Sequence, residues 1–544
     1  MRAKSVLATA RIWAVLFGML LGSWTSAGDY HVSFSGSDLA GDGTATNPWR
    51  TINHALKSIP DPTPTVKHTI HIGPGHWHYE VMEPFPLQIP PGVVLEGAGI
   101  DLTILSGVRA NSRQPVPAYG QVLVQILVPV GGTPAGIAPP ELTNLTLMHA
   151  RSAVEVTGDT ASAPAPNIHN CKFWKNQVGL TNTNGAPRIE QCDFDSNTIG
   201  ISSGRITEVG ETTTISQCRF YKNSYGINAA NSMKMTIEYN RFELNGVGIM
   251  MGTVGLVTVQ PLLRNNTYFM NGQGYTGMAV LGGKTLPTLV HETFYGNNTG
   301  IASLDDYVFG GQSNPNIRNS IIWGSIEWDL NGVSQEEVHN SNLSTATGVP
   351  FGPIIGVNGI MAEEPRFVDP ENGDLHLRDD SPVIDKGLDD TSGKPELDLD
   401  GEPRAVGYPD LGVDESLAFL VHSSAGCSPR EMKLILTARA DPGLTYVLAA
   451  SYIYTRDHGI LLGGRVLPLY PDCLFYETCG FNGKLSGFTG VLSGAGQAIV
   501  KMDIPDRPLL RGSKFHVAFV TLSPQAASGI KTISNVVTVE ADKL

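Results

Sequence analysis

The stretch "CRFYKNSYGI", Cys218 to Ile227, decides the fold once its neighbours are laid beside it. Upstream stand "CKFWKNQVGL" (171–180) and "CDFDSNTIGI" (192–201). Downstream stand "NRFELNGVGI" (240–249), "NTYFMNGQGY" (266–275) and "ETFYGNNTGI" (292–301). The aromatics fall at Phe173, Phe194, Phe220, Phe242, Tyr268 and Phe294, so the spacings are 21, 26, 22, 26 and 26 residues. Three residues after each comes Asn (176, 197, 223, 245, 271, 297), and six after each comes Gly (179, 200, 226, 248, 274, 300). Five residues before each is an aliphatic: Ile168, Ile189, Ile215, Ile237, Leu263 and Leu289. Weaker copies lie at "LTNLTLMHARSAV" (142–154) and "IRNSIIWGS" (317–325).

A fixed internal period of this length means a solenoid. No unit holds ten residues of helical amphipathicity, and the Leu-x-x-Leu-x-Leu frame is absent. Short β-branched and aromatic runs cut by Asn and Gly read as strands joined by tight turns. Each period therefore holds about three short strands, one coil of a parallel β-helix. Coils stacked about 4.8 Å apart turn repeated letters into columns. The Ile and aromatic columns fill the interior. Asn is expected to take the left-handed corner and to bond to the Asn of neighbouring coils. Gly is expected to make the second corner, where a side chain would clash. Cys171, Cys192 and Cys218 share a column with Asn240 and Asn266, which makes them structural thiols.

The totals agree. The 544 residues are too many for one ordinary domain. With 61 Gly, 36 Pro and only 16% charged residues, the chain is turn-rich and all-β or solenoidal rather than helical. A net charge of −14 argues against nucleic acid or an anionic membrane as partner. Arg2, Lys4 and Arg11 precede the apolar run Ile12–Gly22, followed by "SWTSA" ending at Ala27. That pattern is a secretory signal peptide over residues 1–27, and no later stretch is apolar enough to span a membrane. The protein is expected to be exported, whether secreted, periplasmic or at the cell surface. Six cysteines in an exported chain permit disulfides, and Cys473 with Cys479 is the expected pair.

These coils resemble the right-handed parallel β-helix of pectin-lyase-like proteins. The resemblance covers roughly residues 60 to 345, with an N-terminal entry strand and capping helix over 28–60 like those of secreted bacterial β-helix proteins. Apolar Ile52, Ala55, Leu56 and Ile59 place that helix on Thr51–Ser58. The segment 346–416 resembles a choice-of-anchor Q segment in "SPVIDKG", "DLDGEPR" and "DLGVDE". From 417 to 544, alternating runs such as "EMKLILTARA" and "KFHVAFVTL" read as a β-sandwich.

The site is fainter than the fold. The pectin-lyase-like family includes lyases and hydrolases of acidic polysaccharides, and of their motifs only Asp305-Asp306 has a counterpart here. Two adjacent carboxyls could act as acid and base across a glycosidic bond, but the pair also fits a polar turn after the last full coil. Eleven residues past each aromatic stand Asn184, Arg205, Asn231, Thr253, Ala279 and Asp305. If coils keep register, these form a partly polar stripe, with Arg205, Asn231 and Asp305 as substrate contacts and Arg205 or His291 as a base. Asp398-x-Asp400-Gly401 echoes part of a calcium loop, but Gly407 stands where that loop has Glu, so the pattern implies no cofactor outright and at most a weak calcium site that stiffens this segment. His76 and His78 could ligate a metal, yet no third ligand is identifiable. Ser202 in "GISSG" lacks the strand-to-helix turn of a nucleophile elbow. Trp323 and Trp328 could stack on sugar rings.

The reading is an exported β-helix protein that engages extracellular or envelope polysaccharide without a recognisable catalytic set. One rival is a polysaccharide lyase or glycoside hydrolase acting on the β-helix face. Another is a structural surface or adhesion spacer.

Overall fold

A computed structural model describes residues 28–540 except 65, 79–82, 108–120, 128–135, 159–165, 205–211, 233, 345–354, 379–380, 389–394, 396, 402–403, 405–407, 417, 424–430, 439–440, 456–458, 463–464, 468, 479–487, 504–512, 525, 527–528 and 535. The expected signal peptide, Arg205 and Cys479 lie outside the described residues. The chain is all-β and mostly a parallel β-solenoid. It divides into two compact units: one holds residues up to Arg219 with Asn223–Asn228, the other Phe220–Lys222 with everything from Ala229.

The first unit opens as expected. The helix Ile52–Ser58 buries Ile52 and Ala55 against the end of the solenoid, and Thr51 Oγ1 accepts the amide of His54. The remaining N-terminal amides are met from afar, since the carboxylate of Glu83 accepts the amides of Ile52 and Asn53 at 2.7 and 2.9 Å. Burial raises the Glu83 carboxyl to about 7 even against those two bonds. Parallel strands then stack in register. One series runs Asp29–Val32, His68–Ile72, Val93–Gly97, Glu141–Met148 and Asn167–Trp174. A second sheet holds Leu87–Gln88, Val122–Leu127, Ser152–Thr157, Val178–Thr183 and Ile199–Gly204.

In the second unit the same two sheets recur, with Val247–Val254, Gln273–Val280, Thr299–Leu304 and Trp328–Asn331 in the second sheet. Its longer coils add a third sheet, Thr258–Val259, Lys284–Thr285 and Gln312–Ser313. The 21-residue spacing from Phe173 to Phe194 has no room for that strand, because Thr183 leads within five residues to Arg188.

The columns form as the period demands. Ile168, Ile189, Ile215, Ile237, Leu263 and Leu289 are fully buried, as are all six repeat aromatics. Phe173 and Phe194 stack at 4.5 Å in the first unit, and Phe220, Phe242, Tyr268 and Phe294 stack at 4.7, 5.1 and 4.0 Å in the second. Asn ladders run beside them. Asn197 Oδ1 accepts both the backbone and the side-chain N–H of Asn176, and Asn271 Oδ1 does the same for Asn245.

Two expectations about the corners are corrected. The left-handed residue is the one before each Asn, as at Lys175 (φ 52°), Ser196 (φ 56°) and Met270 (φ 50°). Asn is needed for its amide, which must point inward to tie coil to coil. The repeat Gly stands inside a strand rather than at a corner, but a side chain would clash there as expected. A Cβ at Gly248 would lie 2.5 Å from the carbonyl oxygen of Gly274, so close approach of the next coil excludes a side chain there.

The described residues within 360–416 form a strap on the coils of the second unit. The ribbon Phe367–Asp369 with Asp374–Leu377 is antiparallel. Phe367, Leu375, Leu377, Val383 and Leu411 share a core with Ile321 of a coil. Polar ties complete the seam: Asn319 donates to the Leu388 carbonyl and accepts the Leu388 amide, Asn265 donates to the Leu397 carbonyl, and Thr293 Oγ1 accepts the Val413 amide. The buried guanidinium of Arg404 bonds to Asn265 Oδ1 and the Gly412 carbonyl. Beyond it, the antiparallel strands Ala418–Ser423, Glu431–Ala438 and Gln497–Asp503 form one sheet, and Thr489–Val491, Thr445–Ser451, Lys514–Leu522, Ile530–Ile533 and Val537–Glu540 form another. Leu434 and Leu436 of one and Leu448 and Phe519 of the other close a common core, the arrangement of a sandwich.

Candidate functional site

Asp305 and Asp306 leave the strand Thr299–Leu304 and hold the loop that follows. Asp305 Oδ1 accepts the amide of Ser313 at 2.6 Å. Asp306 Oδ1 accepts the amides of Val308 and Phe309 at 3.0 and 3.1 Å, and its Oδ2 accepts that of Leu281 at 3.1 Å. The amide of Leu281, joined by those of Phe309 and Val308, holds the Asp306 carboxyl below the usual carboxylate range. Asp306 is therefore ionised at neutral pH, with both oxygens engaged by backbone, and has no proton to donate. What the pair achieves is display. Tyr307 is 91%, Val308 80% and Phe309 64% exposed, with Leu256, Leu281, Leu304 and Val254 open beside them. Together they form an apolar shelf at the edge of the second unit's coils.

Of the other expected stripe positions, Arg205 lies outside the described residues, and Thr253 and Ala279 do not face out. Asn231, in the left-handed conformation at φ 51°, accepts the Val254 amide at 2.9 Å. Thr253 and Ala279 pair in register but are fully buried, because strand alternation turns this position inward, and Thr253 Oγ1 meets Thr285 Oγ1 at 3.2 Å. His291 is also fully buried and meets Asn319, which is itself held under Leu388. Ser202 sits in mid-strand. Trp323 packs partly buried against the strap, whereas Trp328 is 37% exposed.

Two carboxyls escaped sequence reasoning. Glu337 caps a short 3-10 turn by accepting the Ser334 amide at 2.6 Å. Burial, with the Asp305 and Glu336 charges adding to it, raises its carboxyl. Glu292 stands fully buried in the column that elsewhere holds Asn240 and Asn266, and accepts the backbone and side-chain N–H of Asn266. Burial raises it to about 8. The sequence signal for Glu292 was a charged letter at an inward position of the repeat.

The first unit carries a different surface. His31 stacks on His71 at 4.9 Å, and His71 Nδ1 lies 3.0 Å from Glu96, at the floor of an open cleft of about 410 Å³ that Ser33 and Thr46 also line. His76 meets His78 at 5.5 Å between ring centroids, and burial lowers its imidazole, with His78 and His149 adding to this.

In the strap the expected Asp398–Asp400 pair is split by the fold. Asp398 turns both oxygens to backbone, accepting the amides of Asp400 and Glu415. Asp400 instead meets His376 Nε2 at 2.6 Å, while Asp374 meets its Nδ1 at 2.5 Å. Burial alone would lower this imidazole, but Asp400 and Asp374 outweigh it and hold it well above its ordinary value. Asp414 completes a group with His376 and Asp400 whose ligand-type atoms all lie within 4.8 Å of one another, the one such group among the described residues.

Residues 152–322 match the family model of the right handed beta helix region. No curated protein matches the chain. Among solved structures, a complex of XylC with xylose is similar over 87% of this chain and 100% of its own, at 10% identity and a TM-score of 0.41. The catalytic domain of a GH87 α-1,3-glucanase with nigerose is similar over 61% of this chain and 68% of its own, at 14% identity and a TM-score of 0.29. Tailspike protein 3 of bacteriophage CBA120 is similar over 54% and 55%, at 10% identity and a TM-score of 0.22.

Proposed function

We propose that the protein is exported and binds polysaccharide on the shelf around Tyr307 and Phe309 without cleaving it. One observation carries this reading: Asp305 and Asp306, the only echo of a catalytic motif, accept backbone amides and thereby hold three apolar side chains out in water. An apolar surface kept exposed at the cost of its hydration marks a binding site, and aromatic rings suit the C–H faces of sugars. Export rests on Arg2, Lys4, Arg11 and the apolar run ending before Ala27. The test is affinity electrophoresis of the full chain through gels cast with acidic and neutral polysaccharides. Retardation by at least one polymer is expected, reduced tenfold or more in affinity by Tyr307→Ala and Phe309→Ala. Retardation that survives both changes would remove the shelf as the site.

A second reading is favoured by Glu337, whose raised carboxyl beside the Asp305 charge supplies an acid and a carboxylate in one place. Release of new reducing ends, lost in both Glu337→Gln and Asp305→Asn with circular dichroism unchanged, would replace binding by hydrolysis.

A further inference from the structure

We propose that His376, Asp400 and Asp414 form a binding site for a divalent transition-metal ion of the zinc class, with Asp374 positioning the imidazole. The three ligands come from separate stretches: the strand Asp374–Leu377, the turn closed by Gly401 (φ 80°), and the run after Gly412 that docks on the coil at Thr293. Their ligand atoms lie within 4.8 Å of one another. A tetrahedral ion with bonds of about 2.0 Å sets its ligand atoms roughly 3.3 Å apart. The observed 2.6 Å between His376 Nε2 and Asp400 and the 4.8 Å outer limit bracket that value, so small side-chain rotations would admit the ion.

Two further observations point to a ligand. Asp414 is only 7% exposed, and its Oδ2 accepts the Leu377 amide, which fixes the carboxylate facing His376 and Asp400. A buried carboxylate held within 4.8 Å of a second one is costly unless a cation meets both. Independently, Asp374 takes the Nδ1 side of His376, the carboxylate–imidazole arrangement that orients a metal-ligating histidine and presents Nε2 to the ion. An imidazole with two carboxylates suits zinc, cobalt or manganese better than calcium, which selects oxygen donors alone. The side chains of His376 and Asp400 are 32% and 42% exposed, so the ion has an entry path. Bound there, it would join three stretches of the strap and fasten the docked face.

The test is equilibrium dialysis of the full chain against Zn²⁺, with Co²⁺ as spectroscopic probe and Ca²⁺ as contrast. One Zn²⁺ per chain is expected at micromolar concentration, with a rise in Tm that Ca²⁺ does not reproduce. Co²⁺ should give visible bands without the thiolate charge-transfer band that a cysteine site would show. Asp400→Asn, a half-exposed position, should cut Zn²⁺ affinity at least tenfold with the fold intact by circular dichroism, and Asp414→Asn should do the same. Undiminished Zn²⁺ binding in both variants, a thiolate band, or no binding below 100 µM (roughly −5.5 kcal/mol) would overturn the site. Preference for Ca²⁺ would overturn its class.

Discussion

The two units are written with one repeat yet differ along particular rows of their outer surfaces. In the first, one outward row of the second sheet runs Gln125, Glu155, Thr181 and Ser202, beside a second row that holds half-buried Val122, Val178 and Ile199. In the second, Met250, Met278, Val280 and Leu304 point out, leading to the Tyr307–Phe309 loop. The other sheet differs just as much. Lys172, Asp193 and Arg219, each one residue before a repeat aromatic, make solvent-facing ion pairs in the first unit. The same position in the second unit starts with Arg241, still ion-paired to Glu243, but then holds Thr267 and Thr293, both buried, the latter under the strap. The inward letters are fixed because every coil stacks on a copy of itself. The outward letters follow whatever each face meets.

The sharpest way to break this comparison is at the inward ladder, where both units should respond alike. Asn271→Ala strips the N–H groups of Asn245 of their acceptor and leaves the Phe242 carbonyl without its donor. Asn197→Ala does the equivalent to Asn176 and Phe173. Each should lose about 4 kcal/mol in urea unfolding, since several buried polar groups lose partners at once. A loss under 1 kcal/mol in one unit only would show that the ladder does not carry equal weight.

Next comes pH response, set in the second unit by Glu292 and in the first by Glu83, whose carboxyl rises only to about 7. The folded carboxyl of Glu292 sits at about 8 against 4.5 for the ordinary group. Below pH 4.5 both states hold the proton and nothing is lost. Between 4.5 and 8 the unfolded chain releases it while the folded chain keeps it, so stability falls as pH rises, by about 1.4 kcal/mol per unit. Between pH 6 and 8 the wild type should lose about 2 kcal/mol through this group, and Glu292→Gln should reduce the slope by that share, leaving the shares of Glu83 and Asp410. An unchanged slope in the variant would show that Glu292 is ionised in the fold. The hydroxyls of Tyr268 and Tyr275, also buried, stay protonated across this range because burial raises both.

Smaller still is the effect of the strap. Thr293→Val should cost about 1–2 kcal/mol by leaving the Val413 amide unpaired. Asp193→Asn at the matching outward position should change stability by less than about 0.5 kcal/mol, as exposed ion pairs do. Equal costs at the two positions would mean that the strap does not protect the face it covers. Smallest of all, Met250→Thr and Thr181→Met should each move stability by no more than about 0.5 kcal/mol, leaving the faces distinguishable only by what they bind.

Much of the fold was legible because a coil contacts only its neighbours, so one period of sequence predicts the next layer. The spacing of Phe173 and its copies placed the core, and Ile52 and Ala55 placed the cap. The corners were misassigned because Asn serves both turn and ladder, and only the backbone shows that Lys175 and Ser196 take the strained conformation. The candidate sites were far less legible. Asp305 and Asp306 looked like an acid–base pair until the amides of Leu281, Val308, Phe309 and Ser313 were seen to occupy them. Asp398 and Asp400 looked alike, yet alternate residues in a turn face different neighbours.

By itself, then, the sequence determined the solenoid, its columns, the cap and the alternating strands of the C-terminal sandwich, because each depends on periodicity or on near neighbours in the chain. Tertiary structure alone decided that the described residues within 360–416 lie on one face, that His376, Asp400 and Asp414 meet, and that Tyr307 and Phe309 remain in water. Those outcomes join residues 14 to more than 100 positions apart, or depend on what fails to cover a side chain, and no local pattern encodes either.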